Sequence, residues 1–148
     1  MRWMILCGTL TACATGGESS SPAAGEWDHA VAIGECAPWD GAATTVYLTE
    51  VPYSDQLPRP YLRLAVYHGI NEVAGQRWDV GAGHEQDGLP SLCPAGGACV
   101  NARSGWIAFG ARSAEDPLEG SYDITFENGQ RLAGGFSAPV LERLALCG

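Results

Sequence analysis

One short stretch of this 148-residue chain gathers side chains of the kinds that do chemistry: His84, Glu85 and Asp87, with Asp79 a few positions upstream. An imidazole beside carboxylates could move a proton, touch a ligand or contribute to a metal site. His84-Glu85 opens the H-E-x-x-H pattern of zinc peptidases. Position 88 is Gly rather than the second His, however, and the glycines around the stretch make a loop instead of the helix that pattern requires. The bland reading is a solvated acidic loop. The enzymatic reading is a hydrolase that uses the Asp79–Asp87 region. Loops are where functional residues concentrate, so these four positions are kept as candidate ligand contacts.

Other chemistry is thinner. There is no G-x-S-x-G elbow, no phosphate-binding G-x-x-x-x-G-K-[ST] and no G-x-G-x-x-G after a strand. Only His29, His68 and His84 could serve a triad, and nothing in the spacing assembles one. Glu115, Asp116 and Glu119 surround Pro117, but glycoside hydrolysis needs a defined carboxylate separation that a sequence does not display. Neither acidic group matches a calcium loop. No metal site and no cofactor is expected. The aromatics offer a different possibility. Trp27, Trp39, Trp78 and Trp106, with Tyr47, Tyr53, Tyr61 and Tyr67, could fill the core or form a stacking face for a glycan or peptide. Tyr47, Tyr61 and Tyr67 fall on the polar sides of their strands, which makes Tyr61 and Tyr67 the candidate contacts.

These residues must be positioned by elements whose hydrophobic period is two. Ala42 to Val51 alternates, with Val46 and Leu48 on one face and Thr45, Tyr47 and Thr49 on the other. Tyr61 to Tyr67 alternates likewise, and Arg63 implies that its second face meets water. Pro52 to Pro60 reads as a loop. Val73 to Val80 holds a strand, and Gly81 to Gly97 reads as a long Gly-rich loop. Ala98 to Arg112 holds one or two strands. Ser121 to Glu127 alternates strictly, Asn128-Gly129 marks a type I′ hairpin, and Gln130 to Ala138 returns before Pro139 ends the ladder. Val140 to Cys147 fits a short helix or an edge strand equally. Roughly seven strands follow, and the expected fold is a small antiparallel β-sandwich, with a small β-barrel as the alternative.

The N-terminus gives an address. Met1-Arg2 is a short positive region, and Trp3 to Leu10 is apolar but far below the ~18–20 residues that span a bilayer. Leu10-Thr11-Ala12-Cys13 follows and resembles the bacterial lipobox, whose cysteine thiolate accepts lipid. Cys7 is a rival, but Leu6 before it is too large. The resemblance implies a signal peptide over 1–12, acylation (diacylglyceryl and palmitate-type chains) on Cys13, and a membrane anchor. Ala14 stands where Asp would favour the inner membrane, so the outer membrane is favoured. Residues 13–26 are rich in Ser, Gly and Ala and read as a tether reaching at most ~40 Å. A single domain then spans 27–148.

An exported chain with Cys36, Cys93, Cys99 and Cys147 left over implies two disulfides, of which three pairings are possible. Cys93 and Cys99 flank a flexible Pro-Ala-Gly-Gly-Ala run that can close a small ring, which leaves Cys36 for Cys147. A zinc site is disfavoured because no C-x₂-C pair occurs.

The run from Leu118 through Gly120, Tyr122, Ile124 and Phe126, then Leu132, Gly134, Phe136 and Ala138, resembles the closing hairpin of small uncharacterised bacterial lipoproteins. Cys93, Cys99 and Ser104-Gly105-Trp106 look similar as well. The resemblance implies an exported β-sandwich and no particular activity. The late Cys147, after an inserted Leu-Glu-Arg-Leu segment, departs from that pattern.

The net charge of −9 and the absence of Lys exclude a basic footprint for nucleic acid or an anionic membrane surface. Together these features predict a cell-envelope lipoprotein with a non-enzymatic binding or structural role, its partner an envelope protein or glycan.

Overall fold

A computed structural model describes residues 23–24, 27–54, 56–141 and 146–147. The strands in chain order are β1 (Ala23–Ala24), β2 (His29–Cys36), β3 (Ala42–Thr49) and β4 (Tyr61–Val66). A single-turn helix α1 (Ile70–Val73) precedes β5 (Arg77–Gly81) and β6 (Ser91–Cys93). Then come β7 (Val100–Phe109), β8 (Leu118–Phe126), β9 (Arg131–Ala138) and β10 (Val140–Leu141). The lipobox and residues 13–22 lie outside the described residues.

The chain is all-β with two disulfides, as its period-two patterning predicts. Among the described residues, seven strands have five residues or more, and the other three are shorter ladders. Hydrogen bonding runs through the order β1-β9-β8-β7-β6-β4-β3-β2-β10, with β5 on the other edge of the second half of β7. The two layers are therefore halves of one sheet that curls into a half-barrel. All pairings are antiparallel except the two-residue ladders β1–β9 and β2–β10.

The joint between the halves is β7. Its start pairs with β6, and its remainder pairs with β5 and β8. An irregularity between Ala102 and Ser104 shifts the register there, and Gly105 follows at φ +142°. Bulges of this kind add twist and bend the strand that carries them. The inward side chains of both halves then meet in one core. Val46, Leu48, Leu62 and Leu64 come from one half, and Ile107, Ile124 and Phe126 from the other.

Several expected elements change on inspection of the fold. A strand, β2, forms over His29–Cys36, where no alternation marks it. Val31, Ala32 and Ile33 are all buried, because both of its faces are covered. The run 81–97 is no continuous loop, since Ser91–Cys93 slips between β4 and β7. Val73 ends α1 instead of starting a strand, and the Glu72 carboxylate accepts from the Gly69 N–H at 2.6 Å to cap that turn. At the 126–130 hairpin Gly129 alone of its pair takes positive φ, +85°, so the turn is not type I′. The Gly129 N–H donates to the Phe126 carbonyl and the Phe126 N–H to the Gln130 carbonyl. β1 falls inside the run read as tether, where Ala23 and Ala24 lie beside Leu132 and Ala133. Val140–Leu141 is an edge strand, and residues 142–145 lie outside the described residues.

Both expected disulfides are present. Cys36–Cys147 joins positions 111 apart, and Cys93–Cys99 closes a ring across a separation of 6.

Candidate functional site

The most organised polar group in the described structure lies on the outer face of β2, β3 and β4. Period two puts Glu35, Thr45, Tyr47 and Arg63 on this face, and the register sets Arg63 opposite Tyr47. The Thr45 hydroxyl donates to one Glu35 oxygen at 2.8 Å, and the Tyr47 hydroxyl donates to the other at 3.0 Å. The Arg63 guanidinium lies 3.6 Å from the carboxylate. Glu35 and Arg63 keep 31% and 28% of their side-chain surface, so both reach solvent. A carboxylate offers only acceptors and a guanidinium only donors, so the pair presents complementary hydrogen-bonding edges to whatever settles over it.

Tyr47 is the anchor of this group and not an exposed stacking residue. Only 9% of it is accessible, because the 50–60 loop folds over the sheet. Tyr53, Leu57 and Tyr61 pack there against Val31, Ile33 and Tyr47 as a second apolar cluster. The rings of Tyr47 and Tyr53 stack at 6.3 Å, and Tyr61 meets Tyr47 edge-on at 5.9 Å. Burial, then the Glu35 charge, push the Tyr47 hydroxyl up from 10.0 to about 12, against the opposing pull of Arg63. Tyr47 thus stays a donor and takes no part as a base near neutrality.

A pH prediction follows by linkage. The folded state favours the neutral phenol, so its contribution is complete below pH 10 and is lost as the pH rises toward 12. In an absorbance titration of phenolate formation, Tyr47→Phe should remove a late-ionising group. Tyr122, also raised by burial, should remain late. Loss of an early-ionising tyrosine instead would show that Tyr47 is not held by this cluster.

The structure divides the residues singled out by their chemistry. His84 and Asp87 come together in the exposed turn after β5, with Nδ1 and Oδ2 3.4 Å apart. Glu85 accepts from the Gly83 N–H at 3.0 Å, and the N–H groups of Glu85 and Gly83 hold its carboxyl below the usual range. Asp79 does not join them in any contact; it lies 3.8 Å from Arg77 on the outer face of β5. The Arg77 guanidinium covers the Trp106 ring at 4.5 Å. Among the described residues no three His, Cys, Asp or Glu side chains are arranged to hold a metal ion.

Tyr61 opens β4 and Tyr67 follows its last residue, ~20 Å away along an extended chain, so the two do not form one patch. Tyr67 takes the edge of Trp39 at 4.9 Å, and Trp39 is 54% exposed. Tyr61 lies beside the small disulfide, its hydroxyl 3.9 Å from Cys99 Sγ. Trp27 and Trp78 pack against the main core, and the buried Nε1 of Trp78 has no partner in the described structure. Glu115 and Asp116, without Glu119, line an open depression of about 440 Å³ with Arg112, Pro139 and Val140. There Arg112 holds the loop by donating to the carbonyls of Asp116, at 2.7 Å, and Ala114.

Glu35 and its link to Arg63 escape a reading of the sequence because 28 positions separate them. The available signal is the period-two alternation that puts Thr45 and Tyr47 on one face and Arg63 on the polar face of the next strand.

Comparison with known proteins gives no match: no family model, no curated protein and no solved structure aligns significantly with this chain. Nor is any helix of the described residues long and apolar enough to cross a membrane.

Proposed function

We propose that this chain is a cell-envelope lipoprotein, anchored through lipid on Cys13, whose domain binds or scaffolds and does not catalyse. The observation that carries the reading is the pair of disulfides in one small domain, Cys36–Cys147 and Cys93–Cys99. Bridges of this kind form and persist in oxidising, exported compartments. The lipobox-like Leu10-Thr11-Ala12-Cys13 supplies the attachment point, and Ala14 favours the outer membrane.

The binding role is supported by how the charges are engaged. Asp79 faces Arg77, Asp123 faces Arg131 at 2.6 Å, and Glu35 faces Arg63. In the case of Asp123 the guanidinium bonds hold the carboxyl below its ordinary range. Such pairs shape a recognition surface more readily than they supply a free acid or base. The partner is an envelope protein or glycan that meets the Glu35–Arg63 face.

Replacing Cys13 by Ala should move the protein from the membrane fraction to the soluble fraction after cell lysis. Unchanged membrane partitioning would sink the lipid anchor. For the binding role, crosslinking in intact envelopes should capture a partner with the wild-type chain and lose it with Arg63→Ala. An identical capture pattern would remove this face from consideration.

A further inference from the structure

We propose that Cys93–Cys99 is a reducible thiol–disulfide exchange site, poised by Arg59, which stabilises the Cys99 thiolate. The two sulfurs have unlike surroundings. Cys93 is 1% exposed within β6, whereas Cys99 is exposed just before β7. The groups facing Cys99 are the Arg59 guanidinium, with Nη2 3.3 Å from Sγ, and the Tyr61 hydroxyl at 3.9 Å. Arg59 is held in place by donating Nη1 to the carbonyls of Gly97, at 2.8 Å, and Pro94, at 3.2 Å. A fixed cation and a hydroxyl donor at a sulfur lower the cost of thiolate charge there.

The other bridge offers a contrast. Cys147 Sγ lies 3.8 Å from the Glu35 carbonyl oxygen, an electron-rich neighbour that disfavours a thiolate. Opening the small ring also leaves the fold paired. β6 keeps its ladders to Tyr61–Arg63 of β4 and to Val100–Asn101 of β7, so the strands on both sides of residues 94–99 stay in place and keep Cys99 and Arg59 close.

The exchange requires a dithiol reductant, small or proteinaceous, as the second substrate. One of its thiolates attacks Cys99 Sγ, the accessible sulfur. The new S–S bond forms as the Cys93–Cys99 bond breaks, and the electron pair leaves on Cys93, which takes a proton from solvent. The second thiol of the reductant then attacks its own sulfur in the mixed disulfide. That step expels Cys99 as the thiolate beside Arg59. The reductant ends as a disulfide, and the protein gains two electrons. Stabilising the reduced form of such a pair makes it more oxidising.

The full-length chain, equilibrated in graded mixtures of reduced and oxidised dithiothreitol, tests this when each cysteine is read by peptide-resolved alkylation. Cys93–Cys99 should open at a ratio at least ten-fold less reducing than Cys36–Cys147 requires. Arg59→Ala should demand a roughly ten-fold more reducing mixture, about 30 mV, and Arg59→Lys should stay near wild type. In the reduced protein, Cys99 alkylation should rise at a pH below that of an ordinary thiol, ~8.5, and Arg59→Ala should move it up. A purely structural Arg59 gives the opposite sign. Without its two carbonyl contacts the ring would loosen and reduce more easily, with Cys99 titrating normally. That result, or no effect of Arg59→Ala on either readout, would overturn the proposal.

Discussion

Replacing Cys36 and Cys147 together by Ala should destabilise the domain by about 4–5 kcal/mol. The bridge closes a loop of 111 positions, so the unfolded chain regains far more freedom than when the six-position ring is cut. By the same chain-entropy argument, Cys93→Ala with Cys99→Ala should cost about 2 kcal/mol. A domain of this size shifts its Tm by about 3–5 °C per kcal/mol. The first pair should therefore melt well over 10 °C below wild type, and the second within about 10 °C. Thermal unfolding of both double variants checks this. Equal losses, or a larger loss for the small ring, would refute the view that the long bridge is the principal staple.

Gly105→Ala should be one of the two most damaging single substitutions among the glycines of the sheet, together with Gly81→Ala, where φ is +103° and a Cβ would lie 2.3 Å from the Arg103 carbonyl oxygen. The Gly105 φ of +142° is a conformation that side chains with a Cβ rarely adopt, and a Cβ there would lie 2.2 Å from the Asp123 carbonyl oxygen. Strain and overlap together should cost about 3 kcal/mol or more, because β8 cannot retreat without breaking its ladder to β7. Gly129→Ala is the matched control. It shares a positive φ, +85°, but a Cβ there meets open space. It should cost about 1 kcal/mol. Denaturant unfolding of both variants separates the two terms. If they fall equally, the close approach of β8 to the bend is not what requires glycine at 105.

Strand type and most strand positions were legible where one face is core and the other solvent. Ser121 to Glu127 alternates for that reason, and β8 forms over Leu118–Phe126. The same logic misjudged β3. Thr45, Tyr47 and Thr49 look like a wet face, yet all three are buried: Tyr53 and Leu57 of the Pro-containing loop pack against the cluster that holds Tyr47, Glu35 engages Thr45, and Thr49 donates to the Val51 carbonyl. Which surface a loop will cover is decided by contacts between distant residues, and local periodicity carries no record of it. β2 went unseen for the related reason that Val31, Ala32 and Ile33 are apolar toward both sides.

The site shows the same limit more sharply. His84, Glu85 and Asp87 drew attention because they are neighbours in the chain. Glu35 and Arg63 become neighbours only through the registers of β2 on β3 and β3 on β4. Each alone is an ordinary surface charge. Only the ladder that joins them, with Thr45 and Tyr47 between, makes them a group. Sequence reached the disulfides more easily because their count and compartment restrict the choices.

The short β1 ladder gives the molecule a direction. It sets Ala23 beside Leu132, next to the 126–130 hairpin. Register carries that end of the sheet across His29, Thr49, Tyr61 and Cys93. The chain thus arrives at the pole that holds Arg59 and the small disulfide, while Trp39, Tyr67 and Cys36–Cys147 occupy the other pole. With lipid on Cys13, nine residues lie between the anchor and Ala23, a contour of at most ~35 Å. Whatever is attached upstream of Ala23 therefore joins the domain near the Cys99 pole, and the Trp39 pole lies at the far end of the sheet.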